Sequence, residues 1–215
     1  MNPVHTVYQP RGEGPHPTIL ALHGRGANAL DLIGLAPHIC NGRFLVICPQ
    51  APLEVSLGPG VMGYAWFSSS RQGLADVQAI LSARDQVKEF MDRCMGRFPI
   101  DPDKLVILGF SQGGVMAYSL ALEEPNRFSA LVAMSTRLAP ELLEQISAAS
   151  SAHNLPTLIQ HGSNDSMIPV DKGREASAAL ERLGVPVTYH EYPMGHEING
   201  PALSDLSSWL AEKVL

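Results

Sequence analysis

Lys104-Leu105-Val106-Ile107-Leu108-Gly109-Phe110-Ser111-Gln112-Gly113 is the stretch on which the reading of this chain turns. Its first half is an apolar, β-favouring run. The segment from Gly114 to Leu122 that follows is helix-like and stops before Pro125. A G-x-S-x-G motif between a strand and a helix is the setting of a nucleophile elbow. Such a turn is tight, so small residues must flank the serine. The serine backbone is strained and its hydroxyl projects from the sheet edge. The backbone N–H of Gln112 then faces the place where an oxyanion would form. The plain alternative is an ordinary β–α turn that uses its glycines for packing.

Two downstream segments extend the pattern. Leu155 to Gly162 reads as a buried strand, with Asp165 just beyond it in Ser163-Asn164-Asp165. Val187 to Tyr192 reads as another strand, and Pro193-Met194-Gly195-His196 follows. The order Ser111, Asp165, His196 is the chain order Ser…Asp…His of hydrolases built on an α/β sheet. The gaps between them hold β–α units, so each residue can follow a strand at one sheet edge. Ligand sites of open α/β sheets lie outside the carboxyl ends of the strands. Asp165 could instead be a helix cap or turn residue, and His196 a surface histidine. A zinc site on His161, Asp165, His190 and His196 is the sharper rival, but it lacks H-E-x-x-H spacing or a cysteine pair.

Upstream, Thr18 to Leu22 is an apolar strand entering His23-Gly24-Arg25-Gly26. Hydrolases with the elbow take one oxyanion N–H from such an early loop and one from the residue after the nucleophile. These donors would be the backbone N–H groups of Arg25 and Gln112. The glycines permit close approach of a reacting carbonyl.

On these residues the chain resembles the phospholipase/carboxylesterase family of α/β-hydrolases, which includes acyl-protein thioesterases and small bacterial carboxylesterases. The matching segments are Leu22 to Gly26, Tyr64-Ala65-Trp66-Phe67, Gly109 to Gly114, His161 to Asp165 and Gly195-His196. The resemblance implies Ser111 as nucleophile, His196 as base and Asp165 as the orienting acid, with Arg25 and Gln112 as oxyanion donors. It places Trp66-Phe67 beside an acyl pocket. Met62, with the pair Met167-Ile168, is expected at the same mouth. The alternative is that these side chains only pack the loop onto the sheet. The chain departs from the thioesterase pattern at Ala27-Asn28, where an acidic residue is usual, and at Ser68-Ser69-Ser70, where the family often has Asp.

Composition agrees. One domain over residues 1–215 is expected at this length. The apolar fraction of 45% suits a globular chain. A net charge of −6 with no Lys/Arg cluster argues against a nucleic-acid partner. No apolar run reaches the roughly 18 to 20 residues of a membrane span, so no stable membrane insertion is expected. The N-terminus has no signal-peptide pattern, and Cys40, Cys48 and Cys94 lack motif spacing. Together these suit a cytoplasmic protein with reduced thiols.

Strands are expected near 17–23, 43–49, 104–109, 128–134, 155–160 and 186–192, with an added edge strand within Pro3–Tyr8. Helices are expected near 29–38, 74–95, 112–123, 138–147, 171–184 and 203–213. That alternation indicates an α/β-hydrolase fold, a mostly parallel sheet covered by helices on both faces, with no separate lid domain. The long loop 50–73 reads as functional.

The expected activity is a serine carboxylesterase acting on small-molecule esters of short to medium acyl length, with no metal or organic cofactor. Thioesterase or lysophospholipase action on the same site stays open, as does a homodimer. Two rivals on the same fold are a non-catalytic binding module, which predicts a broken triad, and a dienelactone-type hydrolase, which often uses a cysteine nucleophile.

Overall fold

In the computed structural model, residues 3–68, 76–139, 142–143 and 150–215 are described. The expected helix 138–147, the first residues of the expected helix 74–95 and the last of loop 50–73 fall largely outside them.

Nine strands and four α-helices build the described part. They are β1 (His5–Tyr8), β2 (His16–Leu22), β3 (Leu45–Pro49), β4 (Leu53–Gly58), β5 (Val61–Ala65), α1 (Val77–Met95), β6 (Ile100–Phe110), α2 (Gln112–Glu123), β7 (Ala130–Met134), β8 (Thr157–Gly162), α3 (Asp171–Arg182), β9 (Val187–Tyr192) and α4 (Gly200–Lys213). Seven strands form one sheet in the order β1-β3-β2-β6-β7-β8-β9. Within it the edge strand β1 runs antiparallel, against β3. The rest pair in parallel.

Alternation along the strands sorts the core into two layers. Leu20, Leu22, Leu105, Ile107, Leu131, Ala133 and Ile159 face α1, α2 and α3. Ile19, Ala21, Val106, Leu108, Val132, Met134 and Leu158 face α4 and the segment before β3. This is why the strands read as continuous apolar runs: both faces are covered. Helix α1 buries Ile80, Ala83, Val87, Phe90, Met91 and Cys94, one stripe at helical spacing. Its start is set by Asp76, whose side chain accepts the Gln78 N–H at 3.0 Å. The three cysteines are buried and unpaired. No described helix is long and apolar enough to cross a membrane.

Two expectations are corrected. The helix expected at 29–38 is instead a 3-10 segment over Ile33–Gly42, broken at Ile39, Cys40 and Asn41, with Pro37 inside it. Proline removes a backbone donor and clashes with the preceding turn, so an α-helix cannot run through it. The expected long loop 50–73 contains the hairpin β4–β5, paired from Leu53↔Ala65 to Gly58↔Val61. Pro59-Gly60 between two β-favouring runs is its turn signal.

Register sets the strand ends level. Leu22 lies opposite Gly109, Phe110 opposite Met134, and Gly162 opposite Tyr192. The loops beginning at His23, Ser111, Ser163 and Pro193 therefore leave the sheet along one edge.

Candidate active site

Ser111 stands between β6 and α2 with φ 54° and ψ −118°. A side chain rarely adopts such a conformation, which costs about 1–3 kcal/mol unless its surroundings impose it. Here they do. The Ser111 N–H donates to Met134 O at 3.0 Å, and its own carbonyl accepts the Gly114 N–H at 3.0 Å. The Thr136 hydroxyl donates to the same Ser111 carbonyl at 2.7 Å. The flanking glycines are required by contact. A Cβ on Gly109 would lie 2.1 Å from Gly113 O, and one on Gly113 would lie 2.0 Å from Leu22 O. No side chain fits at either place.

Asp165 and His196 meet although they follow different strands. His196 Nδ1 donates to Asp165 Oδ2 at 2.7 Å. The other carboxylate oxygen, Oδ1, accepts the Met167 N–H at 2.9 Å and the Ile168 N–H at 2.8 Å. Burial pushes the Asp165 carboxyl upward. The Ile168 N–H, His196 and the Met167 N–H outweigh burial and hold it below its ordinary value. The two turns are stitched together by Ser163 N–H to Tyr192 O at 2.8 Å and Asn164 N–H to Met194 O at 3.1 Å. Phe110 links this pair to the elbow, its ring centroid 4.9 Å from that of His196.

The early loop closes the site from the other side. A Cβ on Gly24 would lie 3.2 Å from the Ser111 Cβ and 3.3 Å from Phe110 Cδ1, so the Gly24 backbone lies beside the serine. Hairpin β4–β5 braces this loop: Gly26 N–H donates to Tyr64 O at 2.7 Å and Tyr64 N–H to Ala27 O at 2.9 Å. The Arg25 side chain is exposed. Among the described residues, its N–H has no acceptor.

The structure thus gathers Ser111, Gly24-Arg25, Gln112, Asp165 and His196 at one sheet edge. His161 also points at this corner, but its Nε2 donates to Ile168 O at 2.9 Å and lies 3.6 Å from Asp165 Oδ2. His190 is elsewhere, with Nδ1 3.5 Å from Asp205 Oδ2. The four residues of the zinc alternative are therefore not assembled around one point.

The expected acyl-pocket residues divide into two groups. Met62 and Met167 are 51% and 72% exposed, and Ile168 is half-buried. Trp66 and Phe67 are each 3% exposed. The Trp66 indole N–H donates to His23 O at 2.8 Å. Trp66 also walls a cavity of about 360 Å3 between α1 and the hairpin, whose lining includes Ala51, Val87 and Phe90 and neither Ser111 nor His196.

Sequence reading missed the side chain of Gln112. Its Oε1 accepts the Trp66 N–H at 2.9 Å and its Nε2 donates to Phe67 O at 2.8 Å. A glutamine, rather than any residue, after the serine is the signal that could have found this clip. His23 was also missed. It is 1% exposed, and burial, outweighing the Gly24 carbonyl and Asp31, lowers its pKa and favours neutral imidazole.

Comparison with known proteins gives the family. The model of the phospholipase/carboxylesterase family matches residues 3–214. Acyl-protein thioesterase 1 of Gibberella zeae is 25% identical, over 92% of this chain and 90% of that protein. A probable carboxylesterase SOBER1-like of Arabidopsis thaliana is 27% identical, over 91% of this chain and 78% of that protein. Among solved structures, esterase PE8 superposes with a TM-score of 0.85 at 26% identity, covering 100% of both chains.

Proposed function

This chain belongs to the phospholipase/carboxylesterase family, and on that premise we propose that it hydrolyses short- to medium-chain carboxylic esters through Ser111, His196 and Asp165. One observation carries the reading. A serine held at φ 54° on a strand–helix turn shares its sheet edge with a histidine bound at 2.7 Å to a buried aspartate.

The mechanism follows from those roles. Ser111 is a weak nucleophile until a base takes its proton. His196 Nε2 removes that proton as Oγ attacks the ester carbonyl, then returns it to the leaving alcohol. Asp165 keeps the other ring nitrogen protonated and stabilises the imidazolium. The Arg25 and Gln112 N–H groups stabilise the oxyanion. Water, deprotonated by His196, then attacks the acyl-enzyme and releases the acid and free serine. No step calls for a metal or organic cofactor.

Met62, Met167 and Ile168 supply an apolar rim for the acyl chain, with Trp66 and Phe67 behind it. Each buried methylene contributes about 0.8 kcal/mol, roughly fourfold in kcat/KM. With no separate lid domain expected, the gain should stop after a few carbons. Hydrolysis of p-nitrophenyl esters is expected to peak at short to medium chains and fall for long ones. A rate that climbs through long chains would overturn the proposed substrate class.

Thioester cleavage is the second reading, favoured by relatives that include an acyl-protein thioesterase. An acyl-thioester panel run alongside separates the two by kcat/KM.

Arg25→Ala is expected to leave kcat within about threefold, because the donor at 25 is the backbone and the side chain is exposed. Loss of a true oxyanion donor costs about 10²–10³. A loss of that size with intact structure would make the guanidinium catalytic.

Trp66→Ala is expected to lower acetyl- and longer-ester activity by a similar factor. Its indole N–H and backbone are tied to His23 and Gln112. A loss confined to longer chains would show instead that the indole contacts the acyl group.

A further inference from the structure

We propose that His23 is a positioning residue that sets the orientation of the Gly24–Arg25 peptide, and so of the Arg25 N–H. This rests on the oxyanion role assigned above to Arg25.

Both ring nitrogens of His23 are engaged, and their partners define the tautomer. The Ala51 N–H points at Nε2 at 3.1 Å, so Nε2 carries the lone pair. Nδ1 lies 2.7 Å from Gly24 O and must carry the proton. The main chain of His23 is held as well, its carbonyl accepting the Trp66 indole N–H. The Gly24 carbonyl and the Arg25 N–H belong to one planar trans peptide, and in such a unit they point in opposite directions. Drawing the carbonyl onto the buried imidazole turns the N–H to the opposite side. The Ala27 N–H reaches the same carbonyl at 3.3 Å, a longer bond in the same sense. Glycine at 24 leaves the peptide free to rotate. The ring therefore supplies an orientation that the residue type does not.

Two replacements separate holding this peptide from packing the core. The short amide side chain of His23→Asn can place N–H near the Nδ1 position and still donate to Gly24 O. It cannot reach the Ala51 N–H. The longer amide of His23→Gln can accept from Ala51 but offers no donor to Gly24 O. The expected result is a split. His23→Asn keeps kcat within about fivefold of wild type with a lowered Tm. His23→Gln keeps more of the Tm and loses about 10- to 100-fold in kcat with KM within about threefold, a part of the cost of losing an oxyanion donor outright. Affinity for a trifluoromethyl ketone, which forms a tetrahedral oxyanion adduct, should fall with kcat across the two variants. Equal kcat for both variants, or a loss confined to KM, would overturn the proposal.

Should His23→Gln fail to fold, ¹⁵N NMR of the wild-type imidazole decides. Protonated Nδ1 with bare Nε2 at neutral pH is expected, and the opposite tautomer overturns the assignment. A fluorophosphonate probe keeps the two readings distinguishable. Wild type that reacts at Ser111 while both variants react equally fast sinks the positioning role alone. Wild type that does not react at Ser111 sinks the nucleophile assignment, and the positioning role with it.

Discussion

Ser111→Ala is expected to lower kcat for ester hydrolysis by about 10⁴–10⁶ without unfolding the protein. Loss of the nucleophile in a model serine protease costs about 2 × 10⁶ in kcat. The smaller end allows for residual catalysis by the oxyanion donors. The fold should survive for a specific reason. The elbow conformation at 111 is imposed by the Met134, Gly114 and Thr136 hydrogen bonds, all made by backbone atoms of residue 111. Alanine keeps those atoms and the Cβ. Tm should therefore stay within a few degrees while turnover and fluorophosphonate labelling vanish. A variant that retains a tenth of wild-type kcat would remove Ser111 from the mechanism.

Asp165→Asn is expected to cost about 10⁴ in kcat, the size seen when the same change is made in a serine protease. The surrounding bonds say why an isosteric change should be so damaging. Oδ1 of Asp165 is committed to two N–H donors, from Met167 and Ile168. The asparagine carbonyl must take that place, because an NH₂ there would face two donors. The NH₂ is then directed at His196 Nδ1, which must give up its proton to accept. The proton moves to Nε2, where the base is needed bare. A loss under tenfold, with the structure unchanged, would remove Asp165 from its proposed role. The same carboxyl links stability to pH. Held below its ordinary value, it contributes stability that is fully present above the unfolded carboxylate pKa of about 3.9. That contribution is lost as pH falls through the lower folded value. The Tm gap between wild type and Asp165→Asn should close in that acid range.

Part of this site is local chemistry. G-x-S-x-G with an apolar run on each side can be read as an elbow because a strand, a tight turn and a helix are each legible over a few residues. The structure gives the glycines their reason in the 2.0–2.1 Å approaches at Gly109 and Gly113. Where local signals conflict, the sequence pattern and the structure part. Pro37 stands within the stretch read as a helix at 29–38, and that segment is a broken 3-10 run. Pro59-Gly60 marked a hairpin turn, but the β-favouring residues beside it are largely exposed, so no buried-strand pattern announced β4 and β5.

Sequence alone determined the parallel α/β architecture and the order Ser111, Asp165, His196, because apolar periodicity and turn chemistry are carried by near neighbours. Tertiary structure alone decided the partners. The Asp165–His196 bond joins residues 31 apart. The Gln112 clip reaches back 46 positions to Trp66, and the Ala51 bond to His23 spans 28. A side-chain amide or an imidazole can serve many donors and acceptors. Which ones it meets is set only when strand register and helix packing bring distant backbone groups to within about 3 Å of it, and no local pattern in the chain records that meeting.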